Sequence, residues 1–431
     1  MTSTEFLINY FFPNYSSYII SLIVCSLFSF IIFRKKIRSI IDPMLTAVIG
    51  WTFANTIAVF LIFCEVVSYQ LSLYFFIATL IFAGTFYYIA PNKTKSFIKG
   101  EKVIEQEYNH FLFTILFTIY ISSTLYSFSL NGIPILNESR FAINIDNSSG
   151  ILGLLGRLKT ACSTFCIMYT FFLMDNGKKY KGIVLFVIIL LFSLLSGSKG
   201  FVLQFCHTYF FYKVLYEGKN PKIKRKYIGV ILATPILVIS IAGYADSGVD
   251  SVIFYAYRVL AYGDIYWEAL PNDVINEVTF DNPLLNMTYM LWGPFKHIVG
   301  INVPDSLMTT GGTLIYEKVN FYLPENGAPN SPLAIMSWIY YKWNGLFLVL
   351  IIAIAAARLY KNQGMHKRRL SICCIRAGLI SSCITFSDIY LMFNNLFNLF
   401  LFCFMCKISF VLYKLMYNEK QKRIGHNSCI Q

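Results

Sequence analysis

Tyr18-Ile-Ile-Ser-Leu-Ile-Val-Cys-Ser-Leu-Phe-Ser-Phe-Ile-Ile-Phe33 is a mainly apolar run, and Arg34-Lys35-Lys36-Ile37-Arg38 follows it at once. No Lys or Arg stands ahead of it. A cleaved secretory leader carries its positive charge in front of the apolar segment, not behind it. This order therefore predicts a retained anchor with its N-terminal end outside the cytoplasm.

The rest of the chain extends that pattern. Its 431 residues are 56% hydrophobic and 13% charged, where a soluble domain carries about 25% charge, and its mean hydropathy is +0.58. Ten more spans of roughly bilayer length follow at approximately 44–64, 71–90, 110–129, 155–174, 182–196, 200–216, 227–243, 338–357, 371–389 and 391–413. The segments between them alternate in basic content. Segments 34–43, 91–108, 175–181, 217–226, 358–370 and 417–431 hold 24 of the 36 Lys and Arg. Segments 1–17, 65–70, 130–150, 197–199 and 244–332 hold five. Basic residues accumulate on cytoplasmic loops, so the alternation assigns the first set inside and the second outside. The expected fold is an all-α polytopic membrane protein, one integral membrane domain over 1–431 with about 11 transmembrane helices. The N-terminus is expected outside and the C-terminus in the cytoplasm. The net charge of +14 is then a topology signal and not a nucleic-acid footprint.

One outer segment is long. Tyr244 to Pro332, between the eighth and ninth spans, carries ten acids against Arg258, Lys296 and Lys318. It reads as a large extracytoplasmic loop with short helices that covers helix mouths at the membrane surface. Within it, Tyr255-Ala-Tyr-Arg258-Val-Leu-Ala-Tyr262-Gly263-Asp264 reads as an aromatic segment lying flat on the membrane. Trp338, Tyr340, Tyr341 and Trp343 read as an aromatic belt at the outer interface, with Lys342 snorkelling there.

Motif chemistry is sparse. No GxxxxGK[ST], GxGxxG, HExxH or GxSxG occurs in a suitable context, which argues against nucleotide hydrolysis and zinc-protease or serine-esterase chemistry. The eleven cysteines fall mostly in apolar runs, and Cys403-Phe-Met-Cys406 reads as small buried hydrophobes rather than a metal or redox pair. No metal site and no cofactor is expected. What remains is a set of outer-side cations: Arg140, Arg157 and Lys159 at the start of the fifth span, Lys199 in a Gly-Ser-Lys-Gly turn, and Arg258. Arginine binds phosphate oxygens through a rigid fork and lysine as a point charge. Together they could clamp a lipid pyrophosphate. The alternative for each is an ion pair within the loop, such as Arg258 with Asp264 or Glu268. His297 is the single outer histidine, either a surface residue or a base.

The layout resembles the bacterial oligosaccharide repeat-unit polymerases, the Wzy type of O-antigen and capsular polysaccharide polymerase. The pieces that carry the resemblance are Asn131-Gly-Ile-Pro134 with Arg140, and the turn Ser196-Gly-Ser-Lys199-Gly200. The long outer loop with Arg258 and Gly263-Asp264 belongs to it too, as does its exit Gly327-Ala-Pro-Asn330-Ser-Pro332 leading to Trp343-Asn344-Gly345. The family usually has arginine where Lys199 stands and phenylalanine-glycine near the exit. The resemblance covers roughly residues 110–360. It implies glycosyl transfer outside the cytoplasm, in the bacterial inner membrane, between undecaprenyl-pyrophosphate-linked oligosaccharides. It also implies a chain-length regulator as a partner. Arg140, Arg157, Lys199, Arg258 and Asn330 would bind pyrophosphate, without a metal, and Asp264 or His297 would serve as general base. Two other functions suit a chain of this type. One is a lipid-linked oligosaccharide flippase, to which the single large loop and the absence of internal repeats are less suited. The other is an O-antigen ligase, which shares the layout and differs by acceptor.

Overall fold

The computed structural model describes residues 1–90, 101–102, 104–134, 150–196, 200–221, 229, 257, 259–293, 309–323, 329–361, 367–384 and 388–427. It is all-helical in class, with 84% of it in helices. The one extended pairing among the described residues is a two-residue parallel bridge, Glu101–Lys102 with Lys367–Arg368.

The helices are α1 Tyr15–Phe33, α2 Pro43–Phe63, α3 Tyr69–Ile89, α4 Gln106–Asn131, α5 Gly150–Asp175, α6 Lys179–Leu195 and α7 Phe201–Phe211. Then come the short α8 Asp264–Ala269, α9 Pro283–Trp292 and α10 Gly311–Asn320. The chain ends with α11 Leu333–Tyr341, α12 Gly345–Lys361, α13 Leu370–Ile384 and α14 Ile389–Asn427.

Six stretches among the described residues are long and apolar enough to cross a membrane: Tyr15–Phe33, Pro43–Phe63, Tyr69–Ile89, Gln106–Leu130, Leu333–Tyr360 and Ile389–Met416. Helices also stand at four other expected spans, in α5, α6, α7 and α13. α6 and α13 have 17 and 15 residues, and α7 has 11 before a six-residue π-helical stretch, Tyr212–Glu217, continues it; each is shorter than the roughly 20 residues a bilayer core needs. α5 carries Arg157 and Lys159 in its first half. The expected span at 227–243 lies outside the described residues, apart from Gly229.

α1 shows how the bundle is turned. Tyr18, Ser21, Cys25, Ser29 and Ile32, three or four residues apart, are buried, and the Ser29 hydroxyl meets Thr52 of α2 at 2.7 Å. Ile20, Leu27, Phe30 and Ile31 face outward, each more than half exposed. Small and polar groups inside with large apolar groups outside is the reverse of a water-soluble helix. This arrangement is compatible with a membrane-embedded protein.

Helix starts follow local rules. Asp42 caps α2 by accepting from Met44 N at 3.0 Å with Pro43 at the first helical position, where its missing N–H costs nothing. Asn282 and Pro283 repeat the device at α9, and Thr310 caps α10.

Within segment 244–332, Gly263–Leu270 packs into the bundle, whereas Phe321, Tyr322 and Leu323 after α10 are exposed. Tyr262 lies against Gly50 of α2, and Gly263 against Ala54 and Ile57. A Cβ on Gly263 would come within 2.6 Å of Ile57, so only glycine allows this approach. Gly50 lies thirteen residues from the Phe63 end of α2, a descent of ~20 Å along the helix. Ile265, Tyr266, Trp267 and Ala269 of α8 are buried, and the Trp267 ring stacks on Phe6 at 4.4 Å. The expectation that Tyr255–Asp264 lies flat on the membrane is therefore corrected for residues 261–264, and the helix that follows them is buried as well. Their apolar side chains gain more by packing against helices than by lying at an interface.

The aromatic belt is corrected as well. Trp338 and Tyr340 are buried. Trp338 Nε1 donates to Asn276 Oδ1 at 2.8 Å, and Tyr340 Oη donates to Asn286 Oδ1 at 2.7 Å. The polar tips of both rings are used to tie down the preceding segment. Tyr341 and Trp343 are the partly exposed pair.

Candidate functional site

Arg157 sits in the second turn of α5, where that helix meets α14. Its Nη1 donates to Asn394 Oδ1 of α14, and its guanidinium lies 5.0 Å over the Phe397 ring. Tyr289 of α9 is within electrostatic reach of it, and α9 packs along α14. Lys159, two residues on, points to another wall. Its Nζ donates to Ser196 Oγ at 2.7 Å and lies 5.9 Å over Phe128. Ser196 opens the Gly-Ser-Lys turn, and its hydroxyl in turn donates to Phe192 O at 2.8 Å.

Both cations are half-buried, and among the described residues neither has a carboxylate partner. Amide, hydroxyl and aromatic faces hold them without neutralising them. A cation held in a desolvated place by neutral groups keeps its attraction for an anion.

Immediately beyond, between α5, α7, α13 and α14, lies a cavity of about 260 Å³. Thr160 and Thr164 of α5, Gln204 of α7, Ser381 of α13, and Asn395 and Asn398 of α14 give it a polar wall. Among the described residues no Asp, Glu, Lys or Arg lines it. Gln204 donates to Ser163 at 2.8 Å, and His207 at the cavity edge pairs with Thr46 of α2 at 3.1 Å.

Of the residues singled out in the sequence, Arg157 belongs to this place. Asp264 lies on another wall, at the start of α8 against α2, with its Oδ1 accepting from Ile265 N at 2.8 Å. One turn later Glu268 is 2% exposed, and its Oε2 has no hydrogen-bond partner. Burial pushes the Glu268 carboxyl up to about 8, with the neighbouring Asp264 charge adding to the effect. Asn330 is half-buried, flanked by Pro329, whose carbonyl faces Gly312 of α10, and Ser331, whose carbonyl accepts from Ile389 N at the start of α14. Arg140, Lys199, Arg258 and His297 lie outside the described residues. Among the described residues no group of three or more His, Cys, Asp or Glu could hold a metal ion.

Sequence reasoning missed the polar wall. The signal was there in Asn394-Asn395-Leu-Phe-Asn398 and Ser381-Ser382, amides and hydroxyls within runs scored for overall apolarity. It also treated Glu268 only as an ion-pair partner.

No family model, curated protein or solved structure matches this chain.

Proposed function

We propose that this protein is a membrane glycosyltransferase that polymerises undecaprenyl-pyrophosphate-linked oligosaccharide repeat units into O-antigen or capsular polysaccharide. It would act on the outer side of the bacterial cytoplasmic membrane. In this scheme the chain crosses the membrane about 11 times with 244–332 outside, as the alternation of basic residues indicates. The observation that carries the reading is Arg157, held by the neutral Asn394 and Phe397 one helical turn before the polar cavity, with Lys159 held by the neutral Ser196 on a neighbouring wall. Such cations suit the departure of pyrophosphate, because positive charge placed where negative charge develops lowers the barrier.

The reaction balances without a further reactant. An acceptor hydroxyl oxygen forms a bond to the anomeric carbon of the growing glycan, and the bond from that carbon to the pyrophosphate oxygen breaks. Undecaprenyl pyrophosphate leaves with the electron pair. The hydroxyl proton passes to a base, for which Asp264 and His297 are the candidates. Arg140, Lys199, Arg258 and Asn330 would complete the pyrophosphate clamp, and a chain-length regulator would act alongside.

A second reading has its own support. Polar groups inside the bundle also suit a path for a lipid-linked oligosaccharide flippase. Deleting the gene and resolving surface polysaccharide on a gel separates the two. A polymerase leaves a single attached repeat unit and no ladder. Loss of every attached repeat would favour a flippase or a ligase, and an unchanged ladder would refute all three. Reporters fused within 260–330 should register outside the cytoplasm; a cytoplasmic signal there would break the topology.

A further inference from the structure

The cavity between α5, α7, α13 and α14 holds a polar group with nothing to bind. Asn398 is 7% exposed, lines the cavity, and its Oδ1 has no hydrogen-bond partner. A buried carbonyl oxygen left unpaired is destabilising, so such a group in a native structure calls for a ligand or water that satisfies it.

The wall defines what that ligand can be. Amides and hydroxyls each donate and accept, and Asn395, Asn398, Gln204, Thr164 and Ser381 come from four different helices. Among the described residues no Asp, Glu, Lys or Arg lines the wall, so the groups it shows neither neutralise a phosphate nor match an ammonium group. It matches a neutral group carrying several hydroxyls. The volume, about 260 Å³, is that of roughly nine waters at ~30 Å³ each, enough for one sugar ring. Thr160 follows Arg157 by three residues and Asn395 follows Asn394 by one. The cavity therefore begins within about one helical turn, ~5 Å, of the cation bound to Asn394.

We propose that this cavity is a binding site for a single neutral sugar unit, with the amide of Asn398 as its central hydrogen-bonding group. This rests on the glycosyltransferase reading: the unit is the sugar next to the pyrophosphate, whose charge Arg157 holds while its ring occupies the cavity. Sugar and pyrophosphate of one lipid-linked substrate would then be read by two adjacent groups of opposite character, one neutral and one cationic.

The test uses membranes containing the full-length protein and extracted lipid-linked repeat units. Asn398→Leu, which keeps the side chain's bulk and removes its amide, should raise KM for the repeat unit about tenfold with kcat within a factor of two. Asn398→Gln, with its amide displaced by one methylene, should recover part of the loss. Ser381→Ala supplies a milder second variant if Asn398→Leu fails to reach the membrane, and should raise KM two- to threefold. Unchanged KM in Asn398→Leu, or in Ser381→Ala where that variant has to stand in, overturns the sugar site while leaving the enzymatic reading intact. A fall in kcat at constant KM also overturns it, because a packing defect would act that way. If wild-type membranes extend no repeat unit, the underlying reading fails and this proposal falls with it.

Discussion

Two cationic regions of this molecule carry similar residues and use them differently. After α1, Lys36 donates to the carbonyls of Tyr87 and Ala90 at the end of α3. The backbone N–H of Arg38 donates to Asp42 Oδ2 at 2.9 Å, and Tyr360 Oη lies 3.2 Å from Lys36 O and 3.4 Å from Asp42 Oδ2. Carbonyls and a carboxylate meet this cluster, so its polar groups join α1, α2, α3 and α12 into one knot. At the start of α5, Arg157 and Lys159 meet an amide, a hydroxyl and two rings. In the first region backbone carbonyls hold Lys36 beside the buried carboxylate of Asp42. In the second, side chains alone hold Arg157 and Lys159, and no carboxylate among the described residues meets them.

That contrast can be broken experimentally. The largest effect is expected from Arg157→Ala, which should reduce long surface polymer at least tenfold with the protein still in the membrane. A normal ladder would mean that this cation is only structural. Asp42→Ala should do the opposite: it removes a cap and a buried acceptor, at a cost of about 2–4 kcal/mol. Protein level and thermal stability should fall, and polymer only in proportion; loss of polymer at a normal protein level would dissolve the distinction.

A smaller effect concerns Glu268. Burial raises its folded pKa to about 8 from the ordinary 4.5 of a glutamate. The folded state then holds the proton more tightly, so its stabilising contribution is complete below about 4.5 and is lost as pH rises towards and through 8. Glu268→Gln should flatten the fall in Tm between pH 5 and 9, a difference on the order of a few kcal/mol at the alkaline end. An unaltered slope would show that Glu268 is not the group responsible.

How far the sequence alone leads can be judged from particular elements. The helices from Tyr15 to Ile89 match the expected spans to within a few residues, because long apolar runs and the cap at Asp42-Pro43 are local signals. Arg157 was legible as a scarce cation at the end of a span that the basic-residue alternation assigns to the outside. The cavity beside it was not, since a wall drawn from α5, α7, α13 and α14 exists only once those helices pack. The descent of Ala261–Ala269 along α2 was equally hidden. It depends on Gly50 and Gly263 leaving room for Tyr262 and Ile57, and a single sequence does not say which glycines face each other. Trp338 and Tyr340 fitted the composition of an interfacial belt, but their polar tips find Asn276 and Asn286 sixty-two and fifty-four residues away.

The central claim is that Arg157 holds a pyrophosphate. It is tested most directly by thermal unfolding of the detergent-purified protein with increasing undecaprenyl pyrophosphate, because a ligand that binds only the folded state raises Tm with its concentration. The wild-type protein should be stabilised in a saturable way, and Arg157→Ala should require at least tenfold more ligand for the same shift. Equal shifts in both proteins, or none in the wild type, would contradict the claim.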